Sequence, residues 1–201
     1  MPVQGLGIAG RHALAGRAAS PDVPDRGFAP RVAGPFRRRM NLDPRVRVGH
    51  VHLKVADLGR AIAFYRDVLG FTMTQRFGTQ AAFLSAGGYH HDLGLNTWES
   101  AGGAAPPPGC TGLFHAAFLY PTRATLALAL RRLLAAGVPL DGAADHGVSE
   151  ALYLRDPDGN GLELYWDRLE AAWPRDAQGG LAMFTAPLDL EDLLRAAGAA
   201  G

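Results

Sequence analysis

The sequence predicts an α+β fold assembled from two βαβββ modules. Three observations predict it. Two strand-like stretches each lead into a helical stretch that stops at a glycine, and each helix is followed by three further strand-like runs. Two histidines, His50 and His115, open the two halves 65 residues apart. If the halves pair about a pseudo-twofold, these imidazoles become neighbours.

The elements follow in order. From Val48, "GHVHLKVA" alternates, with Val51, Leu53 and Val55 on one face and His50, His52 and Lys54 on the other. Asp57 is a suitable N-cap, Leu58, Ile62, Tyr65 and Leu69 recur at helical spacing, and Gly70 stands where a helix ends. Strand-like runs occupy Phe71–Phe77, Ala81–Ala86 and His91–Trp98, and "ESAGGAAPPPGCTG" is a loop by composition. The second half begins at "GLFHAAFLYP". Thr122 caps a helix carrying Leu126, Leu130, Leu133 and Leu134 on one face, and Gly137 ends it. Strands are expected around Gly142–Val148 and Ala151–Arg155, then the turn "DPDGN", then "GLELYW". "WPRDAQGG" reads as a linker, and Asp189 as the cap of a short helix through Arg195.

At 48% hydrophobic and 19% charged residues, the chain has a globular composition. No apolar run approaches the roughly 18 residues that span a bilayer. Residues 1–39 carry seven Arg against two Asp, and the remainder 13 basic against 17 acidic residues. A mildly acidic body argues against a nucleic-acid reader. Residues 1–47 are expected to be a disordered basic leader, or to reflect an upstream start preceding Met40. The lone Cys110 points to a reducing, cytoplasmic setting.

The last strand carries Leu162, Leu164 and Trp166 on one face and Glu163, Tyr165 and Asp167 on the other. His50 faces away from the covering helix, whereas pattern alone leaves the face of His115 open. Two histidines and one carboxylate with vacant positions are the ligand set of a non-haem Fe(II) centre. Taken singly, a strand histidine is more often hydrogen-bonded or half exposed than a ligand, and an edge-strand glutamate is usually solvated. Agreement among repeat, strand faces and ligand types favours the metal.

"GHVHLKVADLGRAIAFYRDVLGF" and "YLRDPDGNGLELYW" resemble the vicinal oxygen chelate superfamily, which includes glyoxalase I, extradiol dioxygenases, bleomycin-binding proteins and fosfomycin-modifying enzymes. The resemblance covers roughly residues 48–168, with repeats at 48–98 and 111–167 and with 169–201 left as linker and short helix. It implies a cupped, partly open mixed β-sheet barrel around a metal site. The ligands carried over are His50, His115 and Glu163, with Fe(II) as the metal and Mn(II) as second choice.

Within that superfamily the chain looks most like a one-module, catechol 2,3-type extradiol dioxygenase acting on an aromatic diol with O₂. "HHDLGLNTW" resembles the segment bearing the active-site histidine of these enzymes, which implies His91 as acid–base residue. "ALYLRDPDG" implies Tyr153 as donor to a substrate oxygen, and His146 is the candidate for a further histidine. The plainer roles are a loop histidine at 91 and a pocket-wall tyrosine at 153. A glyoxalase I-like site would need a glutamate near Gly94, where none stands. A fosfomycin-type thiol transferase and a metal-free drug-binding protein are also compatible with the resemblance. Members of the superfamily often form homodimers, and a homodimer is the corresponding expectation, with neither nucleic acid nor membrane as partner.

Overall fold

The computed structural model describes residues 42–199. The leader and the Met40 start therefore lie, up to residue 41, outside the described residues. The first module comprises β1 (Val51–Lys54), α1 (Leu58–Ala63), β2 (Thr72–Phe77), β3 (Ala81–Ser85) and β4 (Leu93–Asn96). The second comprises β5 (Ala116–Leu119), α2 (Arg123–Ala135), β6 (Leu140–Asp145), β7 (Ser149–Arg155) and β8 (Gly161–Asp167). β9 (Ala186–Pro187) and α3 (Leu190–Ala196) follow.

Helix boundaries obey local chemistry. Asp57 accepts from the Arg60 N–H at 2.9 Å, a cap of about 1 kcal/mol. The helix widens into a π turn over Phe64–Val68 and stops at Gly70, whose φ of 90° is open to glycine at little cost. Thr122 and Thr125 form a reciprocal capping box at the start of α2.

The strands form two open mixed sheets and no closed barrel. One has the order β1-β4-β3-β2, the other β5-β8-β7-β6-β9, with β1 parallel to β4 and β5 parallel to β8. β8 is thus an inner strand, so the edge position considered for Glu163 does not apply. The expected linker after β8 is also more ordered than its composition suggests: a short 3₁₀ turn spans Glu170–Ala172, Arg175 bridges Leu181, and β9 pairs antiparallel with β6. Two residues of strand lie below what alternation can reveal.

One hydrophobic core serves both modules. Leu53, Val55, Leu58, Ile62 and Tyr65 from the first are buried in the same cluster as Leu126, Leu130, Leu133, Leu162 and Leu164 from the second, with Leu193 of α3. The rings of Phe71 and Phe118 meet edge-on at 5.1 Å. The polar counterpart is the β7–β8 turn. Buried Asp156 accepts from the Tyr65 hydroxyl at 2.9 Å and from the N–H groups of Asp158 and Asn160 in its own turn. Asp158 accepts from the Ala56 N–H and from Arg60 at the entry to α1. Burial and the neighbouring Asp156 push the Tyr65 phenol well above its ordinary value, so it stays a donor.

Asp156→Ala is expected to cost about 3 kcal/mol by leaving buried donors unpaired, and Tyr65→Phe about 1 kcal/mol. Denaturant midpoints would measure both.

Candidate active site

Glu163 and Tyr153 are a directly opposed pair on β8 and β7. The Tyr153 hydroxyl donates to Glu163 Oε1 at 3.1 Å. The other carboxylate oxygen, Oε2, lies 3.0 Å from His115 Nε2. His115 reaches it from the residue before β5, and a glycine makes this approach feasible. A Cβ at Gly161 would stand 2.0 Å from the Phe114 carbonyl oxygen, so a larger residue would push the start of β5 away from β8. His146 sits in the β6–β7 turn, with Nε2 2.7 Å from the Tyr153 hydroxyl. One end of the second sheet therefore holds a continuous run: His115, Glu163, Tyr153, His146.

His50 and His91 belong to a second cluster on the first module. Their ring centroids are 4.4 Å apart, and His91 also meets Phe83 at 4.9 Å. His90 and His91 bring their Nδ1 atoms to 2.7 Å, while His52 lies against Trp98 at 5.4 Å. Burial, then the neighbouring His50, lowers the pKa of His91, with His90 and His52 adding to the effect. His52 is lowered by burial and by His50. Neutral imidazoles are what a ligand or a general base requires. The ring of His52 lies over Gly94: a Cβ there would stand 2.9 Å from that ring, so a side chain at 94 would require His52 to move.

The structure thus gathers all six expected site residues into two groups, His50 with His91 and His115 with Glu163, Tyr153 and His146. It does not bring all three expected ligands together in one chain: among the described residues, no three His, Cys, Asp or Glu side chains are grouped to hold a metal ion. The second cluster nonetheless fits a divalent metal. An imidazole nitrogen and a carboxylate oxygen face each other at 3.0 Å, and the carboxylate's other oxygen is held by a phenol. The tail residues Trp173, Phe184 and Leu188 are expected to cap the pocket or meet a second chain, but sequence reasoning missed Thr185 and the backbone of Phe184 as partners of His146. The Phe184 carbonyl lies 3.0 Å and the Thr185 hydroxyl 3.2 Å from His146 Nδ1. No sequence signal marks them, because a backbone carbonyl carries no residue identity.

Paired βαβββ modules with a His–Glu pair, the carboxylate on inner strand β8 and the imidazole just before edge strand β5, define a class. Residues 47–164 match the Glyoxalase/Bleomycin resistance protein/Dioxygenase superfamily, and the chain belongs to it. Among characterised relatives, it is 43% identical over 151 residues to the catechol-2,3-dioxygenase of Bacillus subtilis, covering 75% of this chain and 52% of that protein. It is 34% identical over 123 residues to biphenyl-2,3-diol 1,2-dioxygenase 3 of Rhodococcus globerulus, covering 60% of this chain and 63% of that one. The chain therefore spans about half to under two thirds of these relatives' lengths. A solved glyoxalase/bleomycin resistance protein/dioxygenase domain from Frankia superposes with a TM-score of 0.51 at 25% identity, over 61% of this chain and 98% of that domain. A glyoxalase/dioxygenase from Nostoc punctiforme gives 0.52 at 20% identity, over 69% and 97%, and shows the shared fold.

Burial, with the charge and hydrogen bond of Glu163, pushes the Tyr153 phenol up to about 12. The neutral form is favoured in the folded state, so this contribution to stability is present below the ordinary value of 10.0 and is lost as pH rises from there towards 12. In metal-free protein, ultraviolet titration against Tyr153→Phe should show one phenol ionising near 12, and Glu163→Gln should return it towards 10.0. No movement in Glu163→Gln would mean the carboxylate does not act on Tyr153.

Proposed function

We propose that this protein is an extradiol dioxygenase that cleaves a catechol-type aromatic diol beside its hydroxyls, using O₂ and a non-haem Fe(II). The observation that carries this reading is the His115–Glu163 pair with Tyr153 hydrogen-bonded to the carboxylate's other oxygen. The names of the two relatives above support the same substrate class. The metal ligands are His50, His115 and Glu163. A second copy of the chain would supply His50; in support, no three His, Cys, Asp or Glu side chains are grouped to hold a metal ion among the described residues of one chain. Each half-site is flanked by an exposed aromatic: Trp98 lies beside His52, and Phe114 beside His115 at 5.4 Å. A homodimer would cover both.

Bound Fe(II) would supply Lewis acidity to the diol oxygens and bring O₂ beside the ring. The chain's own residues do the rest. His91, adjacent to His50 and with its pKa lowered by burial and then by His50, accepts a proton from the diol. Tyr153 stays protonated at neutral pH, and its single proton, shared between Glu163 and His146 in the free protein, turns to a substrate oxygen when the diol binds. His146 holds the Tyr153 hydroxyl in place. Phe83 and Trp98 form apolar walls beside the histidines and limit water around the ring. The unpaired, exposed Cys110 agrees with a reducing, cytoplasmic setting.

Oxygen uptake with catechol, 3-methylcatechol and 2,3-dihydroxybiphenyl, together with a yellow ring-opened product, tests the reaction. His50→Ala, His115→Ala and Glu163→Ala should each lose iron. His91→Ala should keep iron while kcat falls by about 10²–10⁴-fold. Iron retained by Glu163→Ala at the parent level would refute the ligand assignment.

Complementation tests the shared site. His50→Ala and Glu163→Ala, each inactive alone, should recover roughly a quarter of parent activity when mixed under subunit exchange, because each mixed dimer holds one intact site. A site contained within one chain would recover nothing.

A further inference from the structure

The segment after β8 reaches the candidate site, and neither the superfamily match nor the proposed reaction assigns it a role there. Its course is firmly anchored. Arg123 at the start of α2 donates to buried Glu150 on β7 at 2.7 Å and to Asp192 on α3 at 2.7 Å. Arg168 joins Asp145 at 2.8 Å to Glu150 at 3.1 Å. β9 is hydrogen-bonded to β6, with Ala186 opposite Asp145, and the Phe184 N–H donates to the His146 carbonyl at 3.3 Å. The Phe184 ring packs over Gly147, where a Cβ would stand 2.5 Å from it. These contacts press the backbone of residues 184–185 onto the imidazole of His146.

We propose that the Phe184 carbonyl and the Thr185 hydroxyl hold His146 as the Nδ1–H tautomer, so that its Nε2 accepts from Tyr153 and sets where that phenol points. A carbonyl only accepts, so the 3.0 Å contact with Phe184 requires the proton on Nδ1. Thr185, at 3.2 Å from the same nitrogen, accepts alongside it. The neutral ring then turns a lone pair towards the Tyr153 hydroxyl, 2.7 Å from Nε2. Tyr153 has one proton and faces a second acceptor, Glu163 Oε1, at the longer distance of 3.1 Å. The tautomer at His146 thereby decides how that proton divides between imidazole and carboxylate. Phe184 and Thr185 are positioning residues: they act on the site through His146 and Tyr153.

The consequence for turnover rests on the dioxygenase reading above, whereas the tautomer does not. The experiment uses full-length, metal-free protein with ring-¹⁵N histidine, His146 being assigned by the signal missing in His146→Gln. The parent should show Nδ1 protonated and Nε2 bare. Phe184→Ala/Thr185→Val removes the hydroxyl acceptor and the ring that packs on Gly147 and seats the Phe184 carbonyl against His146, so the carbonyl should withdraw and that preference weaken, and Phe184→Ala/Thr185→Ser should recover part of it. In iron-loaded enzyme, the Ala/Val variant should lower kcat by about 10- to 100-fold with KM little changed. An Nε2–H tautomer in the parent overturns the proposal, whether or not any variant folds. An unaltered Nδ1–H signal in a folded Ala/Val variant overturns it as well. A parent with the expected tautomer but no turnover of any diol would remove the dioxygenase reading and leave this assignment in place.

Discussion

The structure depends on one buried carboxylate. Asp156 opens the turn between β7 and β8, the two strands that carry Tyr153 and Glu163, and it takes the Tyr65 hydroxyl from the other module. Buried acceptors of this kind must be satisfied, and here the turn's own N–H groups and the phenol do so together. Asp158, two residues on, receives the backbone and side chain at the entry to α1. A single tight turn therefore sets both the register of the site-bearing hairpin and its docking against the first module. The apolar core supplies adhesion but is not directional, so these polar contacts define the relative placement of the modules.

The site inherits its order from that hairpin. A cross-strand pair places phenol and carboxylate within hydrogen-bonding reach without help from any loop. Gly161 then admits the backbone before β5, which brings His115 to the free oxygen of Glu163. His146 completes the run from a turn, the least constrained of these positions, and the segment after β8 compensates by bracing it. The outermost residue of the run thus has support from outside the hairpin. The first module offers a different environment, four crowded histidines in which burial, and then the neighbouring imidazoles, lower the pKa of His52 and His91.

Much of this was legible from residues alone. The alternation of Val51, Leu53 and Val55, the helical spacing of Leu126, Leu130 and Leu133, and the capping roles of Asp57, Thr122 and Asp189 all reappear in the structure. Each is a local property, set by periods of 2.0 and 3.6 residues and by the orphan N–H groups of a helix start. The inner position of β8 was not legible, because strand order depends on which edges meet. β9 was missed because two residues show no period. Glu163 could be placed on the face opposite Leu162 and Leu164, but its hydrogen bond to Tyr153 followed only from the register of the hairpin.

By itself, then, the sequence determined the two-module repeat, the faces of its strands and the types of side chain available for chemistry. These follow from short-range sterics and from the alternation of apolar and polar groups. Tertiary structure decided the grouping: His115 with Glu163, Tyr153 and His146 on one sheet, His50 with His91 on the other, and the residues at 184 and 185 against His146. Distances between residues far apart in the chain are set by long-range packing, and no local pattern encodes them.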